Sequence, residues 1–212
     1  ITEYPCVRTR ARHGDSITPS EKRRMSFAIN TKANGRIAEA GNELNSEYKT
    51  ALSEAMSLLA ADERVVFLGQ GVRFSGTFMS KTLDHVDLGK RIELPVMEET
   101  QLGMSIGMAL SGFVPVSVFP RWNFFLLAAN QAVNHLDKMQ PHVIVRVGVG
   151  STTPLDPGPQ HKGDLTEAFR LLMPNTIIVK LDNTESIVPA YRSALDRSGP
   201  TILVEIADLY EN

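Results

Sequence analysis

The sequence predicts an α/β protein built on a doubly wound, mostly parallel sheet of six strands with helices on both faces. Three observations predict it. Short apolar runs recur along the chain at "RVVFLG", "RIELPV", "VPVSVF", "HVIVRV", "NTIIVK" and "PTILVE". They read as strands four to six residues long, the length of strands in a parallel sheet covered on both faces. Helical patterns separate them, and strands alternating with helices imply right-handed crossovers and a parallel sheet.

Residues 1–45 stand apart as a basic arm, with eight Lys or Arg against five acids, a net +3, while the remainder carries a net −5. "VRTRARHGDSITPSEKRR" sustains no apolar period, so an extended terminal segment is expected. The domain proper is expected over 46–212. "SEYKTALSEAMSLLAAD" places Tyr48, Leu52, Ala55, Met56 and Leu59 on one helical face, with Ser46 as its cap. "RVVFLG" is a short buried strand ending at Gly69, and a long loop, 70–90, follows it. Helices are then expected at about 99–112, 123–139, 164–172 and 184–197, between the remaining strands.

Apolar residues make up 42% of the 212-residue chain and the formal charge is −2, which gives no bias toward nucleic acid or acidic polymers. No run of roughly 18 apolar residues occurs, so no membrane-spanning helix is expected. The single cysteine, Cys6, rules out an internal disulfide and fits a reducing compartment, so a cytoplasmic location is expected. The sequence opens on Ile1 without an apolar signal core, and trimming of the start is expected.

In open parallel sheets ligands sit beyond the carboxyl ends of the strands. That rule selects the loops 69–90, 97–100, 120–123 and 148–163. One of them lies in "LPVMEETQLGMSIGMALSGF", where two adjacent carboxylates, Glu98 and Glu99, lead into Gly103, Gly107 and Ser111 spaced four apart. Each interior glycine costs about 1 kcal/mol of helix propensity. Something must therefore approach that backbone closely.

Three ordered motifs now resemble a known family. "PVMEETQLGMSIGMALSG" is similar to the P-x-x-E-x-x-x-x-G-x-x-x-G-x-A segment in the pyrimidine-binding domain of transketolase-like, thiamine diphosphate-dependent enzymes. Pro95 and Gly103 both anchor Glu98, not Glu99, at the family's glutamate. "VPVSVFPRWNFFLLAANQAV" is similar to the beta-subunit pattern in which an aromatic precedes an Asp-Gln pair; Asn130-Gln131 stands at the pair and Phe124 at the aromatic. "GPQHKGDLTEAFRLLMPNTIIV" resembles the family's G-P-T-H-x-G loop, helix and Leu-Pro-Asn turn, with His161 at the histidine.

The resemblance implies that Glu98 hydrogen-bonds the cofactor's pyrimidine ring nitrogen, favouring the imino tautomer that takes the thiazolium proton. The cofactor supplies that reactivity itself. A carboxyl donates near neutral pH only if its pKa is raised, and burial among Val96, Met97 and Leu102 would do so. An acid at a helix start is also favoured by the macrodipole alone. Phe124 offers a face for the aminopyrimidine, or packs in the core. His161 is expected to meet the substrate and shuttle protons, or to be a solvated loop histidine. Met97 and Gly71, the latter in "GVRFSGTF" at the mouth, complete the cofactor-binding set. Arg121 and Trp122 are candidates for the substrate pocket, the arginine pairing a substrate carboxylate or forming a surface salt bridge. In the family the small-residue helix packs on a partner subunit, which implies an interface at Gly103, Gly107 and Ser111.

The family holds the diphosphate through Mg²⁺ with a G-D-G motif, and none occurs in this sequence. No metal ligand is therefore expected here, and the resemblance implies a partner carrying the diphosphate-binding domain, in a heterodimer or heterotetramer. Family members usually continue into a further C-terminal domain, so either a natural minimal subunit or a chain lacking that domain is expected. The expected activity is cleavage beside the carbonyl of a 2-oxo acid with transfer of the acyl or aldehyde unit. A transketolase-type ketol transferase and a non-catalytic assembly or regulatory paralogue are the alternatives.

Overall fold

A computed structural model describes the backbone of residues 35–74, 77–151 and 156–210, with side chains from Glu47 onward. The arm's first 34 residues, Cys6 included, lie outside the described residues. Six parallel strands form one sheet: β1 (Val65–Gly69), β2 (Arg91–Glu93), β3 (Val114–Phe119), β4 (Ile144–Val149), β5 (Ile177–Leu181) and β6 (Thr201–Ile206), in the order β2-β1-β3-β4-β6-β5. The predicted α/β class and strand count hold, and every pairing is parallel.

Among the described residues six α-helical segments accompany the sheet: α1 (Gly35–Ala60), α2 (Glu98–Leu110), α3 (Trp122–Phe125), α4 (Asp137–Met139), α5 (Thr166–Leu172) and α6 (Ile187–Asp196). α1 starts well ahead of the expected Ser46 cap, because Ala, Glu and Leu in "GRIAEAGNELN" sustain helix once it is nucleated. The predicted helix 123–139 is broken. α3 tightens into a 3-10 turn, Leu126–Ala128, and then widens into a π-helix, Gln131–Leu136, before α4. Such π segments concentrate at functional sites. The long loop after β1 contains two 3-10 turns, Ser80–Leu83 and Leu88–Lys90.

Two apolar layers sandwich the sheet. One packs α1 and α6 (Leu52, Met56, Leu59, Ile187, Tyr191) on Val116, Val118, Ile144 and Leu203. The other packs α2, the 122–139 run and α5 (Leu102, Ile106, Phe125, Leu136, Phe169) on Phe119, Val145, Val147, Ile202 and Val204. Alternate residues of β3, β4 and β6 serve opposite layers, which is why these strands read as unbroken apolar runs.

A buried acid stitches the second layer together. The Asp137 carboxylate, on α4, accepts from the Asn175 backbone N–H at 3.0 Å, Asn175 Nδ2 at 3.0 Å and Thr176 Oγ1 at 2.9 Å. It thereby ties the 122–139 run to the turn before β5. Hydrogen bonds to a buried charge outweigh neutral ones. Asp137→Ala is expected to lower unfolding free energy by about 2–3 kcal/mol, since three donors lose their acceptor together; denaturant titration checks it.

Candidate active site

The strand order places the topological switch point between β1 and β3, where consecutive crossovers leave in opposite directions. Gly69 closes β1 there with φ +143°, and a Cβ on it would lie 2.3 Å from the Val118 carbonyl oxygen and 2.9 Å from Gln101 Nε2. The position has no room for a side chain. β1, β3 and α2 meet at this point, and Gln70 is carried directly over it.

Glu98 is the first residue of α2, reached from β2 through Met97, which offers no side-chain cap. Its side chain is 4% exposed, whereas Glu99 is exposed to solvent. One oxygen, Oε1, accepts from Gln70 Nε2 at 3.1 Å. The other, Oε2, has no partner among the described residues, and it is not among the atoms sealed away from contact. One face of an almost enclosed carboxyl is thus fixed while the other is open to a ligand.

Gln101, one turn on, was not legible as a site residue in the sequence. It is completely buried, and its Nε2 donates to Ser117 Oγ and to the Val118 carbonyl, both at 3.0 Å, pinning the start of α2 to β3. Glu93, at the end of β2, was missed as well. Its carboxylate accepts from three successive backbone N–H groups, Gly71 at 2.7 Å, Val72 at 2.9 Å and Arg73 at 2.8 Å. This amide nest is of the kind that holds anions. The Gly71 amide is consequently engaged by Glu93, and Gly71 shapes the mouth rather than offering a free donor. A carboxylate ending a strand just below a glycine-bearing loop was the available signal.

β3 and β4 supply the opposite wall. The half-buried ring of Phe124, in α3, meets the His161 ring edge to face at a centroid distance of 5.9 Å. His161 lies in a 3-10 turn, Pro159–His161, and its Nδ1 is buried without a hydrogen-bond partner among the described residues. Arg121 Nη1 donates to the His161 carbonyl at 2.9 Å, and burial draws the Arg121 guanidinium below its ordinary value. The structure joins Phe124, His161 and Arg121, and the strand order puts Glu98 and Gln70 on the other side of the switch point.

Trp122 is a correction. It was expected to face substrate, but it has no exposed surface and stacks on Phe169 at 4.9 Å with Phe125 edge-on at 5.4 Å. α3 turns it inward because residues one apart on a helix diverge, and the neighbouring Phe124 takes the outward position. Met97 is 38% exposed beside Glu98. Gly103 and Gly107 face no atom of the described chain within 4 Å of where a Cβ would stand, and Ser111, the C-cap of α2, is exposed.

Comparison with known proteins agrees with this geometry. Residues 45–211 match the model of the family described as "Transketolase, pyrimidine binding domain". The chain is 31% identical over 134 residues to the 3-methyl-2-oxobutanoate dehydrogenase subunit beta of Mycobacterium tuberculosis, covering 56% of this chain and 36% of that one. It is 28% identical over 160 residues to the pyruvate dehydrogenase E1 component subunit beta of Gracilaria tenuistipitata var. liui, covering 70% and 49%. The chain thus spans half or less of the length of these relatives. A transketolase from Campylobacter jejuni superposes with a TM-score of 0.61 at 21% identity, over 76% of this chain and 25% of that one. A split-gene transketolase solved as an inactive beta4 tetramer superposes with a TM-score of 0.60 at 15% identity, over 77% and 50%. At these identities the solved structures speak for the fold. The match across most of its length and the six-stranded parallel sheet make this chain a member of the transketolase pyrimidine-binding domain family.

Proposed function

We propose that the chain is the pyrimidine-binding subunit of a two-component, thiamine diphosphate-dependent enzyme. It cleaves the bond beside the carbonyl of a 2-oxo acid and transfers the acyl or aldehyde unit. The observation that carries this reading is Glu98: nearly enclosed, fixed on one oxygen by a neutral amide, and unpartnered on the other. The names of the beta-subunit relatives, both acting on 2-oxo acids, support the substrate class.

The residues present fit the cofactor's aminopyrimidine. Glu98 Oε2 would take its ring nitrogen, the half-buried face of Phe124 its plane, and the Met97 side chain its flank. When bound, thiamine diphosphate supplies a nucleophilic carbon once a proton is removed from its thiazolium ring. Glu98 contributes by holding or releasing a proton at Oε2, while Gln70 keeps Oε1 in place. Gln70 brings no charge of its own, so the carboxyl exchanges a proton without breaking an ion pair. His161 contributes a proton carrier at the mouth, its ring braced by Phe124. The rigid base beneath them, Gln101 on β3 and Gly69 against Val118, holds the carboxyl to one geometry.

The diphosphate and its Mg²⁺ belong, in this reading, to a partner subunit. The open face of α2 supports a partner there. Gly103 and Gly107 are unobstructed on it, and Leu110, Phe113, Leu126 and Leu127 remain exposed nearby at 64%, 45%, 49% and 58%. Exposed apolar clusters of this kind mark association surfaces. Small residues let a second backbone approach closely.

Isothermal titration of thiamine diphosphate with Mg²⁺ into this chain, a candidate diphosphate-binding subunit, and their mixture tests the proposal. Heat in the mixture alone supports it. Silence in every mixture overturns it in favour of a scaffold that does not bind the cofactor.

A further inference from the structure

The loop that carries His161 is seated on the ends of β3 and β4 by contacts on three sides. Arg121 Nη1 donates to the His161 carbonyl oxygen at 2.9 Å. At the end of β4, a Cβ on Gly150 would stand 2.0 Å from that same oxygen and 2.5 Å from Arg121 Nη1. The carbonyl and guanidinium thus fill the volume a side chain would take, and only glycine permits the seat. Beyond the histidine, a Cβ on Gly163 would meet Asn123 Nδ2 at 3.3 Å, so the loop also closes on the start of α3. The His161 ring itself abuts Phe124. Among the described residues Arg121 forms no ion pair, and its guanidinium makes this one hydrogen bond.

We propose that Arg121 is a positioning residue: by gripping the carbonyl of His161 over Gly150, it fixes the imidazole at the mouth, in place of the expected pairing with a substrate carboxylate. The proposal rests on the role given to His161 above. Its geometric logic is local. A guanidinium is planar and presents several fixed donors, so one of them can hold a carbonyl with little loss of freedom. The described residues of the loop after β4 join no strand ladder, and among them the carbonyl of His161 is the one group to which Arg121 donates. Losing that donor frees the histidine without touching its side chain.

The test uses the full chain, labelled with ¹³C at histidine Cε1, with the His161 line assigned by its loss in His161→Gln. R121M keeps the length of the side chain and removes the donor. It is expected to shift or broaden the His161 line and to raise trypsin cleavage after Lys162 by about tenfold, a modest loosening of a held loop. The lines of His85, bonded to Ser57 Oγ, and His142, bonded to the Ala194 carbonyl, should stay in place and report an intact fold. R121K, which keeps a donor, should restore part of the protection, and His161→Gln should leave cleavage at the wild-type rate because the anchored group is the carbonyl. If R121M perturbs the whole fold, R121Q replaces it with the same expectations.

Unchanged His161 resonance and cleavage in the neutral variants would overturn the proposal. So would a reconstituted enzyme in which R121M raises KM and leaves kcat alone, the signature of lost substrate binding. The expected split is a kcat lower by about tenfold with KM within about twofold, and no further loss when R121M is added to His161→Gln. The resonance and cleavage measurements need neither cofactor nor partner, so they fail independently of the thiamine diphosphate reading.

Discussion

On the function proposed above, Glu98→Gln is expected to lower turnover of the enzyme reconstituted with a diphosphate-binding subunit by at least about 10²-fold, the usual contribution of a positioned acid or base. The fold survives, because glutamine retains an oxygen to accept from Gln70 Nε2 and matches the carboxylate in size. What it loses is the ability to exchange a proton at the open oxygen. Glu99→Gln is the matched control, since Glu99 is exposed and one residue away, and it should leave turnover unchanged. Steady-state kinetics on both variants, with thermal unfolding run beside them, decides the assignment. Equal losses in the two variants would mean that charge at the start of α2 matters and the buried proton site does not, since both acids act alike on the helix dipole.

Glu205→Gln should produce the largest stability loss in the molecule, about 3–5 kcal/mol, as expected when one member of a buried ion pair is removed. Glu205, on β6, and Arg146, on β4, are both fully buried, and Arg146 Nε donates to Glu205 Oε1 at 2.7 Å and Nη2 to Oε2 at 3.0 Å. Tyr191 and Tyr210 both donate their hydroxyls to the same carboxylate, and Arg146 Nη2 also reaches Thr82 Oγ1 at 3.1 Å. Burial alone would lower the Arg146 guanidinium, but the facing Glu205 carboxylate reverses this and holds it well above its ordinary value. The cluster joins α6, the first 3-10 turn and the segment after β6 to the sheet. With glutamine at 205 the guanidinium is left buried without a counter-charge. Denaturant unfolding measures the loss, and a change under about 1 kcal/mol would mean that the pair is replaceable by neutral hydrogen bonds.

The same cluster fixes a pH dependence. Burial first, and then the Glu205 carboxylate, push the Tyr191 and Tyr210 hydroxyls well above the ordinary value of 10.0. Their stabilisation is complete below that value. As pH rises past it, the unfolded chain releases these protons and the folded chain keeps them, so stability falls. Phenylalanine at either position should reduce that alkaline loss.

How much of this was legible in advance differs from residue to residue. Every strand was placed, because short, mainly apolar runs set between helical patterns read as strands of a covered parallel sheet. The same rule concealed Arg146 and Glu205. Each sits inside an apolar run, and a charge in a strand reads as a solvated position until its partner is found across the sheet. Gln101 and Glu93 were concealed for a similar reason, since a polar side chain on a helix or at a strand end is ordinary until its acceptor or donor is known. The break in the 122–139 helix was invisible too, because its residues suit a helix of any pitch and the packing of Trp122 and Phe125 on Phe169 decides the local winding.

The amino-acid sequence by itself determined the α/β class, the strands and the loops beyond their carboxyl ends, because each follows from pattern along one chain, while the expectations for Glu98, Phe124 and His161 came from the resemblance of three motifs to a family. Only the tertiary structure decided which of two adjacent glutamates is enclosed, that Trp122 turns inward, and that Arg121 holds a backbone carbonyl. Those outcomes depend on distances between segments far apart in the chain. Strand register and helix rotation set such distances, and no local pattern encodes them.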